Sequence, residues 1–348
     1  MTDPARADDA AGHLPDAPPI PGLAFRRWRG PDDLPEMHRV ATAAKRSVGD
    51  PSLFSLEEMQ VQYRNLTNCD PYRDVLLAEV DGTLVAYART WWEDRSDGVR
   101  LHWTFGLVHP AWRRRGIGGA LAGRLEAHAE ALAAADPSER TRRFASFSEE
   151  RDAGAVTLLT QRGYEVDRRF ATMHRPTLDD VVETPVPEGF TVRPATRADM
   201  RAIFEADVEA FADHWGTPDG SDAAWQRFQE RPGIDPSLWA VAWAGDEVAA
   251  AVLPELTHPA VTGEPQTAWL SRIFTRRPWR RRGLARMLVG RSLVQLRERG
   301  LADARLGVDL ANAHDALTLY AAAGFVIETT ETLWGKPWPG LSGAAGSP

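Results

Sequence analysis

The chain has a single cysteine, Cys69, among its 348 residues. It therefore cannot form an internal disulfide, and such sparse use fits a reducing compartment. No apolar run approaches the ~20 residues that a membrane helix needs. The first twenty residues carry Asp3, Asp8, Asp9, Asp16 and four prolines without an apolar stretch. That is not a signal peptide and predicts a disordered lead-in over residues 1–22. Together these absences predict a cytoplasmic protein with no membrane partner. Lysine is nearly missing, occurring only at Lys45 and Lys336, and the formal net charge is −8. Nucleic acid is thereby disfavoured as a partner, because binding it needs a concentrated basic surface. Arginine in place of lysine fits the codon bias of a GC-rich genome, so runs such as Arg113-Arg114-Arg115 are not by themselves a binding surface. The nine histidines are scattered without ligand spacing, and no metal site is expected.

What is present suffices for two cores, with 43% hydrophobic and 26% charged residues over about two domain lengths. The chain also repeats itself. Trp112-Arg113-Arg114-Arg115-Gly116-Ile117-Gly118-Gly119 matches Trp279-Arg280-Arg281-Arg282-Gly283-Leu284-Ala285-Arg286, and the tryptophans stand 167 positions apart, as do Gly116 and Gly283. Downstream, Ala155-x-x-Leu158-Leu159-x-x-x-Gly163-Tyr164 matches Ala316-x-x-Leu319-Tyr320-x-x-x-Gly324-Phe325 at an offset of 161. Two motifs at nearly one offset identify a duplication, with copies over 23–175 and 190–338. The proline-rich, acidic stretch 176–189 reads as a linker and the Gly/Ser/Pro tail 339–348 as disordered.

The copies share an order of elements. Each opens with a short strand and a helix, at 24–28 and 33–44, then at 190–193 and 199–211. A hairpin follows, turning at Asp81-Gly82 or Gly245-Asp246. Next come a long strand (102–108; 268–275), a helix entered at the glycine motif, a strand (143–147; 304–309), a short helix ending at Gly163 or Gly324, and a final hairpin. This order predicts a mixed α/β fold for each copy.

In each copy the glycine motif lies between a strand and a helix. Small residues there let a ligand approach the backbone, and the helix start offers unpaired N–H groups to a diphosphate. Neither copy has the G-x-G-x-x-G dinucleotide pattern or the Gly-Lys-Ser/Thr end of a P-loop. A tight helix entry with no ligand gives the same local pattern.

Strand, glycine motif, helix and the later Asn312-x-x-x-Ala316-x-x-Leu319-Tyr320-x-x-x-Gly324-Phe325 together resemble the GNAT family of N-acetyltransferases. The resemblance covers both copies and is strongest over 268–325. It implies two tandem domains, each a splayed mixed sheet flanked by helices, with acetyl-CoA or another acyl-CoA as donor. In the second copy it implies that the backbone of Ile273, Phe274 and Thr275 meets the pantetheine arm, that Arg280 to Arg286 wrap the diphosphate, and that Asn312 contacts the cofactor. Tyr320 falls at the family's general-acid position. In the first copy the matching cofactor residues are Leu107, Val108 and Arg113 to Gly119, but Leu159 stands where Tyr320 should be and has no proton to give. The first copy is expected to be catalytically silent, either still binding acyl-CoA or serving as a scaffold.

Many relatives place a glutamate base on the third strand, whereas 268–275 contains no acid. Glu255, Asp309 and ordered water remain candidates. Around the second copy's first helices, Glu205, Asp207, Glu209, Asp213 and His214 gather with Phe211, Trp215 and Trp225. They form either a rim suited to a cationic amine or a solvated helix face with core aromatics. The resulting expectation is acetylation of a small-molecule primary amine by the second copy, as a monomer or homodimer. Acyl-CoA sensing without turnover and protein N-acetylation are the alternatives.

Overall fold

The computed structural model describes residues 14, 16–95, 97–212, 220–231, 234–257, 266–311 and 314–339. The chain forms two compact units, one of residues 1–167 with 332–348, the other of 168–331. These units are not simply the two halves of the repeat, because each is completed by a strand from the other half.

In the first unit the strands are β1 (Leu23–Arg27), β2 (Val75–Val80), β3 (Thr83–Asp94), β4 (Val99–Val108) and β5 (Thr141–Glu149). They lie in that order, and the end of β12 (Val326–Pro337) follows β5. The hairpin of β2 and β3 turns where predicted: Asp81 and Gly82 both have positive φ (49° and 78°), which a two-residue turn matched to strand twist requires. Helices α1 (Leu34–Arg46) and α2 (Leu56–Arg64) cover one face of the sheet, burying Met37, Val40 and Tyr63 against Leu77 and Tyr87. A reciprocal cap starts α2: Ser55 Oγ accepts from the Glu58 amide at 3.0 Å, and Glu58 accepts from the Ser55 amide at 2.5 Å. A short α3 (Pro71–Asp74) leads into β2. The other face carries α4 (Ile117–Ala134), whose Ile117, Leu121 and Leu125 meet Ala78, Val80 and Ala86. Then come α5 (Ala153–Gln161) and β6 (Glu165–Arg175).

The second unit repeats this plan. Its elements are β7 (Thr191–Pro194), α6 (Met200–Phe211), α7 (Asp222–Gln229), β8 (Ala240–Ala244), β9 (Glu247–Leu256), β10 (Ala268–Thr275), α8 (Leu284–Glu298), β11 (Ala304–Asp309) and α9 (His314–Ala322). The sheet order is β6-β11-β10-β9-β8-β7, with Phe170 to Arg175 of β6 antiparallel to β11. Its core is continuous and includes Val252, Leu288, Leu293 and Leu306.

Three local expectations change. Each copy ends in one long strand, β6 or β12, instead of a hairpin. Neither strand contains an internal turn sequence, and the exchange gives each the sheet of the other half of the repeat to pair with. The lead-in packs from Leu14 onward: Leu14 is 5% exposed, and Ala17 and Ile20 lie on the Leu121 cluster. The segment 176–189 has no helix or strand but is anchored in the second unit, where Leu178 is buried and the Arg297 guanidinium donates to the carbonyls of Asp179 and Val181.

Candidate active site

In the second unit β10 runs parallel to β11 only at Ala268 and Trp269. Beyond Trp269 the strands part, so the β11-facing edge of Leu270 to Thr275 has no strand partner. Gly307 of β11 lines this opening, and a Cβ there would meet nothing within 4 Å. On its other edge β10 pairs with β9, with a register shift between Leu270 and Arg272 that leaves Ser271 without a cross-strand partner. Such a bulge turns one residue's backbone groups out of the ladder.

After β10 the chain enters α8 through a tight turn. Arg281 (φ 61°) and Gly283 (φ 79°) are both left-handed, which curves successive N–H groups around a concavity suited to an anion. No side chain caps α8, and a Cβ on Gly283 would project into open space. Arg280 holds the turn in place, donating from Nε to the Thr275 carbonyl at 3.1 Å and from Nη2 to the Ala210 carbonyl at 3.0 Å. Leu284 is buried and anchors the helix, Ala285 is half-buried, and Arg281, Arg282 and Arg286 are exposed. Ile273 is half-buried, Phe274 is in the core, and Thr275 Oγ1 is sealed without a hydrogen-bond partner. The cradle therefore fits a diphosphate, and the free strand edge fits an amide-bearing arm.

Tyr320 lies on α9, 8% exposed and edge-on to Phe325 at 6.3 Å. Burial alone pushes its phenol up to about 12, so at neutral pH it keeps its proton. Asn312 falls outside the described residues.

The first unit has the same frame with different contents. Arg113 donates to the carbonyls of Val108 (3.3 Å) and Ala44 (3.2 Å), as Arg280 does. Arg114 (φ 63°) and Gly116 (φ 90°) repeat the left-handed pair. Leu107, Val108, Gly118 and Gly119 are half-buried, Ile117 is buried, and Arg115 stacks on Trp112 at 4.6 Å. However, a Cβ on Gly116 would lie 3.1 Å from Pro18 of the packed lead-in. Strands β4 and β5 part after Trp103, and here hydroxyls stitch the fork. Ser146 donates to the Thr104 carbonyl at 2.8 Å, and Thr104 bonds Tyr164 Oη at 3.2 Å. Strand β4 has no bulge against β3.

The acids singled out in the sequence are taken up by arginines. Glu255 pairs with Arg231 and Asp309 with Arg168. Glu205 pairs with Arg201 at 2.7 Å and Glu209 with Arg276 at 2.7 Å. Asp207 is buried, its Oδ2 held by Arg272 Nε (3.0 Å) and Nη2 (2.7 Å), and burial pushes its carboxyl upward despite that arginine. Trp225 packs with Phe204 and Phe228 as core aromatics. Asp213, His214 and Trp215 lie outside the described residues. Sequence reasoning missed Gly307 and Ser271. A glycine within a strand was the available signal for the first, since it marks a close backbone approach.

A splayed mixed sheet with a left-handed glycine turn at a helix entry, present twice, defines a tandem acyltransferase architecture. The model of the Acetyltransferase (GNAT) family matches residues 36–145 and 200–325. The chain belongs to that family and is an N-acetyltransferase. It is 28% identical over 265 residues to the mycothiol acetyltransferase of Geodermatophilus obscurus, covering 75% of this chain and 82% of the relative. The mycothiol acetyltransferase of Salinispora arenicola is 27% identical over 299 residues, covering 84% and 91%. Among solved structures, a GCN5-related N-acetyltransferase from Sphaerobacter thermophilus superposes with TM-score 0.69 at 27% identity, over 93% of this chain and 97% of that one. A tandem GNAT protein from the clavulanic acid biosynthesis pathway gives 0.67 at 18% identity, over 90% and 98%, and shows the shared fold.

Proposed function

We propose that the second unit transfers an acetyl group from acetyl-CoA to a primary amine of a small molecule, in the cytoplasm. When bound, acetyl-CoA supplies the thioester that carries the acyl group. The turn from Arg280 to Arg286 would hold its diphosphate through main-chain amides. The open edge at Ile273, Phe274 and Thr275, with Asn312, would hold the arm. The bulge at Ser271 offers backbone groups beside that edge, where charge develops on the acyl oxygen. Tyr320 would give its Oη proton to the departing sulfur, a role suited to a buried phenol that stays protonated at neutral pH. Neither Glu255 nor Asp309 reads as a free base, since each carries an arginine. The amine therefore arrives neutral or loses its proton through water.

The observation that carries this reading is the opening beside β10, with Gly307 and Gly283 both facing unfilled space. The mycothiol acetyltransferase relatives support a small acceptor over a protein one. The test is amine-dependent CoA release. Tyr320→Phe is expected to lower kcat about a hundredfold while leaving the KM for acetyl-CoA unchanged. Unchanged turnover in that variant would remove Tyr320 from the chemistry. Acetyl-CoA binding without CoA release to any amine would instead indicate a sensing protein.

A further inference from the structure

The first unit buries an arginine that nothing in the fold neutralises. Arg89 lies midway along β3, opposite Phe105 of β4, on the face covered by α2. It is 8% exposed, and its Nε and Nη1 are sealed from solvent without a hydrogen-bond partner. Its neighbours are Tyr63, whose hydroxyl also hydrogen-bonds the guanidinium, and Trp91: the guanidinium carbon stands 5.3 Å and 4.8 Å from the two ring centroids. Behind these, Trp28 packs on Tyr63 and Trp103 stacks on Trp91.

The nearby groups do not supply the missing negative charge. Asp74 is committed, pairing with His128 at 2.8 Å and accepting from the Asp70 amide at 2.6 Å. Glu93 accepts from Trp103 Nε1 at 3.2 Å. Burial pushes the Tyr63 phenol up and the Cys69 thiol up to about 12, although Arg89 pulls both the other way. Both therefore stay neutral. Among the described residues no carboxylate pairs with Arg89.

Leaving a guanidinium sealed with only a neutral phenol and rings against it costs more than those contacts return. The second unit avoids that cost: the matching position, opposite Arg272 on β10, is the buried Leu253. An apolar residue thus fits this place in the fold, and the arginine is not a packing requirement.

We propose that Arg89 anchors a ligand site in the first unit that takes the carboxylate of a small molecule, with Tyr63 and Trp91 as its walls. A planar carboxylate matches the guanidinium fork and cancels one positive charge. A phosphate dianion would leave surplus charge in a sealed site. This site is separate from the transfer chemistry proposed for the second unit, so either reading can fail alone.

The test is calorimetric titration of the full-length protein with sodium benzoate, with benzamide as the neutral isostere and inorganic phosphate as the competing anion. Benzoate is expected to bind saturably and raise Tm, while benzamide does neither and phosphate binds more weakly. Arg89→Met is expected to weaken benzoate binding about tenfold or more, the value of charge-assisted hydrogen bonds. Arg89→Lys should fall between, keeping the charge without the fork. Absence of saturable benzoate binding to the unmodified protein would overturn the proposal, whatever the variants do. So would equal binding of benzamide or phosphate, or an Arg89→Met protein that folds and binds benzoate undiminished.

Discussion

The two units can be compared position by position along one groove, and they differ at four points on a shared frame. The second unit leaves the fork open at Gly307, bulges at Ser271, exposes its turn at Gly283 and ends at Tyr320. The first puts Ser146 where Gly307 stands, pairs β4 without a bulge, lays Pro18 against Gly116 and substitutes Leu159. The frame of strands, turn and helix is the same, down to the arginine that ties each turn to a carbonyl on the preceding strand. Duplication therefore preserved what holds the fold and let the groove diverge. What a half can do depends on the few side chains filling that frame.

The comparison is broken hardest through the exchanged strands. Trp334 belongs to the second half of the repeat but is buried in the first unit with Phe144 and Tyr164, its Nε1 donating to Ser148 Oγ at 2.8 Å. Met173 belongs to the first half and is buried in the second unit's core. Trp334→Ala is expected to cost about 3–5 kcal/mol and Met173→Ala about 2–4 kcal/mol, read by urea denaturation. If the halves fold independently, expressed fragments 1–175 and 190–338 will unfold cooperatively on their own. The expectation is that neither will, because each lacks its last strand.

This exchange was not legible in the sequence, and the reason is physical. The alternation that makes 165–175 and 326–337 strands says nothing about which sheet they join. By contrast, local chemistry revealed the duplication, both hairpin turns, the strand-to-helix position of each glycine motif, and Tyr320 against Leu159. The packing of Leu14, Ala17 and Ile20 is hidden among prolines and aspartates, because these side chains find a shared surface only once α4 is in place. The arginine partners of Glu255 and Asp309 come from residues 24 and 141 positions away, beyond the reach of any local pattern. Arg89 would be read as solvent-facing from its residue type, and only the packed rings show it to be buried.

A smaller effect separates the two turns. Valine at either left-handed glycine strains the backbone by about 1–2 kcal/mol. In the second unit that strain should fall on the cradle, so Gly283→Val is expected to raise the KM for acetyl-CoA roughly tenfold. Gly116→Val pushes on Pro18 and should lower Tm while leaving that KM in place. Equal KM changes in the two variants would mean that both turns serve the measured reaction.

The finest distinction is in how one buried carboxylate from each unit, Glu126 and Asp207, responds to pH. In the first unit Glu126 of α4 accepts from Arg162 at 3.0 and 2.8 Å and from Lys336 at 2.8 Å. Burial pushes its carboxyl up, but the hydrogen bonds from Arg162 and Lys336 outweigh this and hold it below the ordinary range. Its folded value therefore lies beneath its unfolded one. The stability it gives is complete above the unfolded value and is lost as pH falls through the folded value. Asp207 of the second unit runs the other way. Burial raises it in spite of Arg272, so its ionised form weighs against folding as pH rises past the ordinary carboxylate range. Glu126→Gln is expected to lose about 1 kcal/mol near neutral pH, with the gap closing as the solution is acidified. Relative to the unmodified protein, Asp207→Asn should gain stability as pH rises over the same interval. Urea denaturation of the three proteins from about pH 4 to about pH 7 gives two difference curves of opposite slope. Parallel curves would show that the two carboxylates share one environment, contrary to their partners in the fold.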